Sequence, residues 1–192
     1  FANFATGDMM SFGTMFSVLL TFYFQSLGIN LGFLPTALIT IPFAIVMMIL
    51  YMLLVDKFVF SYYRIKKSPP VQLAMVSIGV MFVTQALVRI VIGPFDRRFL
   101  DGKKFILKAT EFKEITGLSE GLTIKSTQMI TIIITLVVVS ILFWFLNKTK
   151  TGKSMKAYSD NEDLALLSGI DPKRIVMITW VIAGILATIG GV

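Results

Sequence analysis

The sequence predicts a polytopic α-helical membrane protein, and three observations carry that reading. Of the 192 residues, 56% are hydrophobic and only 15% are charged, against about 25% charged in soluble domains, so the apolar excess needs lipid as its solvent. Five apolar stretches approach the roughly 20 residues that a helix needs to cross a hydrocarbon core about 30 Å thick. Their pattern is continuous: VMMILYMLLV at 46–55 lacks the in/out alternation of barrel strands, and inside lipid every other backbone must be helical to satisfy its own polar groups.

The spans fall at about 9–27, 33–55, 71–92, 129–146 and 175–192. Pro35 sits in the first turn of the second span, where a missing N–H does no harm. Pro42 lies deeper and predicts a kink or a rescue by neighbouring helices. Between spans, 28–32 is an uncharged tight turn, 56–70 carries four basic residues, 93–128 seven, and 147–174 six. The second and fourth loops together hold 10 Lys or Arg in 43 residues, against 7 in 41 for the first and third, which places 56–70 and 147–174 in the cytoplasm. The external loop 93–128 also holds five acids, and KFILKATEF and GLTIK within it carry a hairpin pattern.

Neither cysteine nor histidine occurs, which removes disulfides, thiolate and imidazole metal sites, Cys nucleophiles and the usual general base. The chain is therefore expected to be no enzyme and to take no cofactor. Its net charge of +7 and pI near 9.7 do not indicate nucleic acid, because the bases are dispersed between apolar runs and not gathered on one soluble face; membrane lipid headgroups are the expected partner. The opening FANFATGDMM has no charged leader region and GILATIGGV closes inside an apolar run, so both ends read as cut from a longer chain. No repeat or low-complexity tract divides 1–192, which predicts one membrane domain. Small residues recur four apart at Gly7 and Ser11, at Gly13 and Ser17, and at Ala183, Ala187 and Gly191, ridges along which helices approach closely in lipid.

Two motifs bear on chemistry. Thr151–Gly152–Lys153–Ser154 resembles the end of a phosphate-binding loop, but the motif's first glycine would fall at Asn147, and a membrane helix precedes it where a strand is required. Nucleotide binding by this chain is not expected. The more informative stretch is YSDNEDLALLSGIDPKR at 158–174. Ser159 and Glu162 have capping-box spacing, Leu164 with Leu167 and Ala165 with Ser168 give a short apolar face, and Gly169 suits a C′ position. Asp171 and Pro172 then read as N-cap and N1 of the next helix. The stretch therefore predicts a helix at about 160–168, either docked on a partner or resting on lipid as an interfacial helix.

That stretch resembles the cytoplasmic loop of ABC-importer permeases, whose Glu-Ala-Ala-x-x-x-Gly pattern forms a coupling helix. Asp163, Leu164, Ala165 and Gly169 stand at its positions; Ala165 and Gly169 match, Asp163 is conservative and Leu164 departs. The wider string TKTGKSMKAYSDNEDLALLSGIDPKRIVMITWVIAGILATIGGV is similar to branched-chain amino acid permeases of the LivH type, including an Ala-x-x-x-Gly-Ile core that ends at Ile170. FANFATGDMMSFG resembles that family's Asn-Phe-Ala-His-Gly-Asp segment, with Thr6 in place of His, and YYRIKKSPPVQLAMVSIGVMF its basic loop ending in Ser-Pro-Pro. The likeness covers the whole chain, without the family's usual first span and without any segment beyond the fifth.

The resemblance implies an importer permease: a helix bundle with a short cytoplasmic coupling helix, paired with a second permease subunit, driven by cytoplasmic ATP-binding subunits and supplied by a periplasmic binding protein in the bacterial inner membrane. Asp163, Leu164, Ala165, Leu167, Gly169 and Ile170 would couple to the ATPase. Branched-chain amino acids are the implied substrate, with urea, amides or other amino acids as alternatives in related permeases. Pathway candidates are Asn3, Thr6, Asp8 and Gln85. Asp8 reads equally as a residue facing water or the helix dipole, and Gln85 and Thr84 as interhelical hydrogen-bonders. Arg89 reads as snorkelling. A secondary transporter or channel is the competing class, against which stands the scarcity of intramembrane acids; an inert membrane anchor is a third.

Overall fold

In a computed structural model of the chain, residues 3–28, 36–93, 106–107 and 124–192 are described. Their helices are α1 (Thr6–Ser26), α2 (Ala37–Val55), a π-helical segment (Asp56–Phe60), α3 (Ser61–Ile65), α4 (Pro70–Ile92), α5 (Ser126–Lys148), α6 (Lys150–Asp160), α7 (Glu162–Leu167) and α8 (Pro172–Gly191). The strands β1 (Ile106–Leu107) and β2 (Ile124–Lys125) pair antiparallel, Ile106 opposite Lys125, as the two segments expected to form a hairpin require. Most of 93–128, and Pro35 with it, lies outside the described residues.

Where the sequence reads as one domain, the contacts gather into two compact units, Phe1–Gly102 with Val176–Val192, and Lys103–Ile175. In the first unit α1 packs against α2 and α4. Its interior joins a hydrophobic cluster around Met9, Met48, Met52 and Phe60 with the fully buried Ser17, Thr21, Thr40, Ser77, Thr84 and Thr188, while Ile65 and Ile90 are nearly four-fifths exposed. Apolar side chains outside as well as inside, with buried hydroxyls hydrogen-bonded between them, are what a bundle dissolved in lipid adopts, because lipid tails do not drive Leu or Ile inward.

Among the described residues, four helices have the length and apolarity to cross a membrane: Ala37–Ile65, Pro70–Ile92, Gln128–Lys148 and Pro172–Gly191. The sequence expectation of five included α1, whose 21 residues reach about 31 Å but whose mean hydropathy is lower. The reason is its position. Gly13, Ser17 and Thr21 are all buried on α1, and a face that packs against other helices takes small and polar contacts where a lipid-facing one takes Leu and Ile.

The expected ridges meet there in part. A Cβ on Gly13 would stand 2.9 Å from Thr188 Oγ1, and one on Gly191 would stand 2.9 Å from the Met10 carbonyl, so α1 and α8 touch through backbone; Gly7 faces open space. The second span also differs from its expected end at residue 55. Helix continues through the π-helical segment and α3 to Ile65, so most of the stretch read as a basic loop is helical. α2 runs unbroken through Pro42, which is exposed.

Candidate functional site

Within the second unit, α5 turns into α6 at a corner that tolerates only glycine. A Cβ on Gly152 would collide with the Phe145 carbonyl and lie 2.6 Å from Leu146 Cα. Thr149 closes the corner: its hydroxyl donates to the Phe145 carbonyl at 2.7 Å and accepts from the Gly152 N–H at 3.0 Å. Lys156 reaches back to Asn147 Oδ1 at 2.6 Å. The TGKS motif thus lies inside α6, with its amides spent on helix and cap, and Gly152 serves packing.

α7 is shorter than expected and starts differently. Ser159 lies inside α6, so the anticipated Ser159–Glu162 capping box does not form. Asn161, extended at φ −153°, ends α6 and caps α7, its Oδ1 accepting from the Leu164 N–H at 3.0 Å. Asparagine competes better than serine here because it follows the last residue that α6 can hold. Glu162 is instead engaged by Tyr158, whose hydroxyl donates to it at 2.7 Å.

The far end matches expectation. Gly169 has φ +79°, its N–H donates to the Leu166 carbonyl at 3.0 Å, and the Ile170 N–H donates to Ala165 at 3.1 Å, the paired bonds of a left-handed helix stop. Asp171 Oδ1 then accepts from the Lys173 N–H at 2.9 Å to start α8. Six residues of helix are therefore fixed at both ends by local bonds. Ala165 is buried, whereas Leu164 is 61% and Leu167 85% exposed, with Asp163 exposed beside them. The loop presents Leu164 and Leu167, with Leu166 at 44% exposure between them, outward from a rigid, polar frame.

In the first unit, three of the four pathway candidates come together at the start of α1. Asn3 Oδ1 accepts from the Ala5 N–H at 3.1 Å, Thr6 donates to the Asn3 carbonyl at 2.9 Å, and the Phe4 N–H donates to Ser77 Oγ of α4 at 3.1 Å. Asn3 and Thr6 thus shape the entry to α1, and Asp8 follows in its first turn, half-buried. Gln85 is apart from them, eight residues beyond Ser77 and so about 12 Å further along α4. Thr84, not Gln85, makes the interhelical bond, with Tyr51 at 2.6 Å. Arg89 is exposed in the last turn of α4, as a snorkelling residue requires.

Two polar features were not singled out from sequence. Ser17 and Thr40 share a hydrogen bond of 2.9 Å, joined by Thr21 at 3.2 Å, between α1 and α2. Tyr51 stacks on Phe12 with ring centres 3.9 Å apart. Serine and threonine inside apolar runs were the available signal. An apolar groove of about 120 Å³ lies between α1 and α4, lined by Val18, Leu19, Phe22, Val91 and Ile92.

A family model described as "Branched-chain amino acid transport system / permease component" matches residues 1–192. Over 92 residues the chain is 35% identical to the nucleoside ABC transporter permease protein NupB of Lactococcus lactis subsp. cremoris, a match that takes in 48% of this chain and 25% of that protein. No solved structure gives a significant match.

Proposed function

Because this chain belongs to the family of branched-chain amino acid transport permease components, within the ABC transporter permeases, we propose that it lines the membrane pathway of a bacterial importer and that α7 seats in its ATP-binding subunit. The observation that carries this reading is the exposure of Leu164 and Leu167 on a helix closed by its own caps. Burying a leucine is worth about 1.5–3 kcal/mol, and a face rigid before it docks loses little entropy on docking. Ala165, Gly169 and Ile170 hold that face in shape through burial and the helix stop, and the exposed Asp163 contacts the ATPase beside it.

ATP hydrolysis then belongs to the partner subunits, and this chain works without catalysis or cofactor. A second permease subunit completes the pathway, and an external binding protein delivers substrate at the bacterial inner membrane. α1 crosses the membrane as a fifth span, packed on one face against α2 and α4. Branched-chain or related amino acids are the proposed cargo, supported by the family's description and by the Asn3-to-Asp8 segment. A second reading, nucleoside import, is supported by the likeness to the NupB permease.

In the full-length transporter, Leu164→Ala with Leu167→Ala, or Gly169→Val, should lose substrate-stimulated ATP hydrolysis at normal membrane abundance. A buried Leu→Ala costs about 2–5 kcal/mol, and Val is poorly suited to the left-handed conformation at Gly169. Wild-type uptake together with copurified ATP-binding subunits would leave α7 an interfacial helix and move a channel or secondary carrier ahead. Uptake of labelled leucine against labelled adenosine by the same cells separates the two cargo readings.

A further inference from the structure

The helix that starts at Ala37 outlasts its hydrophobic run. Its apolar part, α2, is 19 residues long, about 28 Å, close to the hydrocarbon thickness of about 30 Å. The whole helix to Ile65 is 29 residues, so its last stretch, Asp56–Ile65, rises about 15 Å beyond the apolar run, through the headgroup layer on that side. Residues from Asp56 onward therefore lie beyond the hydrocarbon, from the headgroup layer outward. Tyr62 and Tyr63 there are the amphipathic rings that this layer favours.

The charges at that depth are unevenly committed. Asp56 is taken by Arg64 through two hydrogen bonds of 2.6 and 2.9 Å. Among the described residues, Lys66 and Lys67 have no acid within salt-bridge distance. Lys66 Nζ donates to the Tyr62 hydroxyl at 2.5 Å and stands 4.5 Å from the centre of its ring. The same hydroxyl raises the Lys66 pKa above the ordinary lysine value, so the ammonium stays charged at neutral pH.

Lys67 supplies an independent observation. It follows α3 at φ +49°, and among the described residues it is the one non-glycine with positive φ; Gly28, Gly93 and Gly169 hold the others. Its N–H donates to the Arg64 carbonyl at 2.9 Å and the Ser68 N–H donates to Tyr63 at 3.1 Å, a helix stop that glycine fills without steric strain. The chain places a cation where the backbone favours glycine. Strain of this kind points from the outlier to a use for its side chain.

We propose that Lys66 and Lys67, with the Tyr62 hydroxyl beside Lys66, form a site for the phosphate of an anionic lipid headgroup at the end of this span. The ammonium groups of two consecutive residues and a phenol provide donors for a phosphodiester, and the lipid's tails would lie along the exposed Ile65 and Phe58. The site depends on the membrane placement of the helix and not on what the protein transports.

The test reconstitutes the full-length transporter in vesicles of equal parts phosphatidylglycerol and phosphatidylcholine, extracts it in detergent and measures which lipid stays bound. The wild type should retain phosphatidylglycerol preferentially. Each lysine removed should cut that enrichment about fivefold, so Lys66→Gln with Lys67→Gln nearly abolishes it. Lys67→Gly should cut it about fivefold while thermal stability holds or rises, since the strained backbone is relieved; a merely structural Lys67 would do the reverse. An unchanged lipid ratio in both variants overturns the site. Loss of the ATP-binding subunits at an unchanged lipid ratio overturns it in favour of a protein contact. Displacement of the lipid from the wild type by an inorganic phosphate wash overturns the lipid assignment in favour of a free anion; retention through the wash supports it.

Discussion

Arg64 grips Asp56 with both guanidinium nitrogens, at 2.6 and 2.9 Å, although the two residues are eight apart in one helix. In a regular α-helix such a pair is about 80° out of phase, whereas a pair seven apart is nearly aligned. The π-helical segment Asp56–Phe60 adds one residue to the turn and restores the alignment. It also turns Phe60 inward, where it is fully buried with its ring 5.4 Å from that of Trp180.

A double-mutant cycle on this pair should therefore show strong coupling. Arg64→Ala strands a carboxylate whose side chain is only 15% exposed, so it should destabilise more than Asp56→Asn with Arg64→Ala together. The expected interaction energy is about 1–2 kcal/mol, above that of a surface pair because of partial burial. Thermal denaturation of the detergent-solubilised full-length protein measures it. A coupling near zero would mean that the π-helical segment is held by Phe60 packing alone.

Two of the tight glycines, Gly13 and Gly152, should respond differently to a methyl group. At Gly13 the nearest obstacle is the Thr188 hydroxyl, with Thr188 Cα at 3.3 Å, so Gly13→Ala should cost about 1–3 kcal/mol as the helices part slightly. At Gly152 the obstacles are all backbone of one neighbouring turn, and no rotamer change relieves them. Gly152→Ala should open the α5–α6 corner and misplace α7, losing coupled ATP hydrolysis even where the protein still inserts. Protease sensitivity around 149–153, compared between the two variants, would reveal the opened corner; equal sensitivity would count against it.

The charge balance of the loops sets an orientation that labelling can read. With 147–174 cytoplasmic, a cysteine at Ser159 should be protected from an impermeant thiol reagent in intact cells, and one at Gln128, exposed near the start of α5, should label. The absence of native cysteine gives the experiment a clean background. The opposite pattern would reverse the topology and remove α7 from reach of an ATPase.

The sequence by itself determined the solvent and the local stops. Composition required lipid, apolar length required helices, and Gly169, Asp171 and Pro172 marked their helix ends because a left-handed φ, a carboxylate cap and a fixed φ are properties of single residues. It also carried the family resemblance, which the match over 1–192 supports. Tertiary structure decided the rest. Asn161 displaced Ser159 as cap because only packing at the α5–α6 corner fixes how far α6 runs. Thr84 rather than Gln85 faces Tyr51, since helix rotation follows from neighbours and not from hydropathy. The π-helical segment and its Asp56–Arg64 pair left no periodic trace, because one inserted residue shifts phase only relative to a partner surface, which the linear chain does not contain.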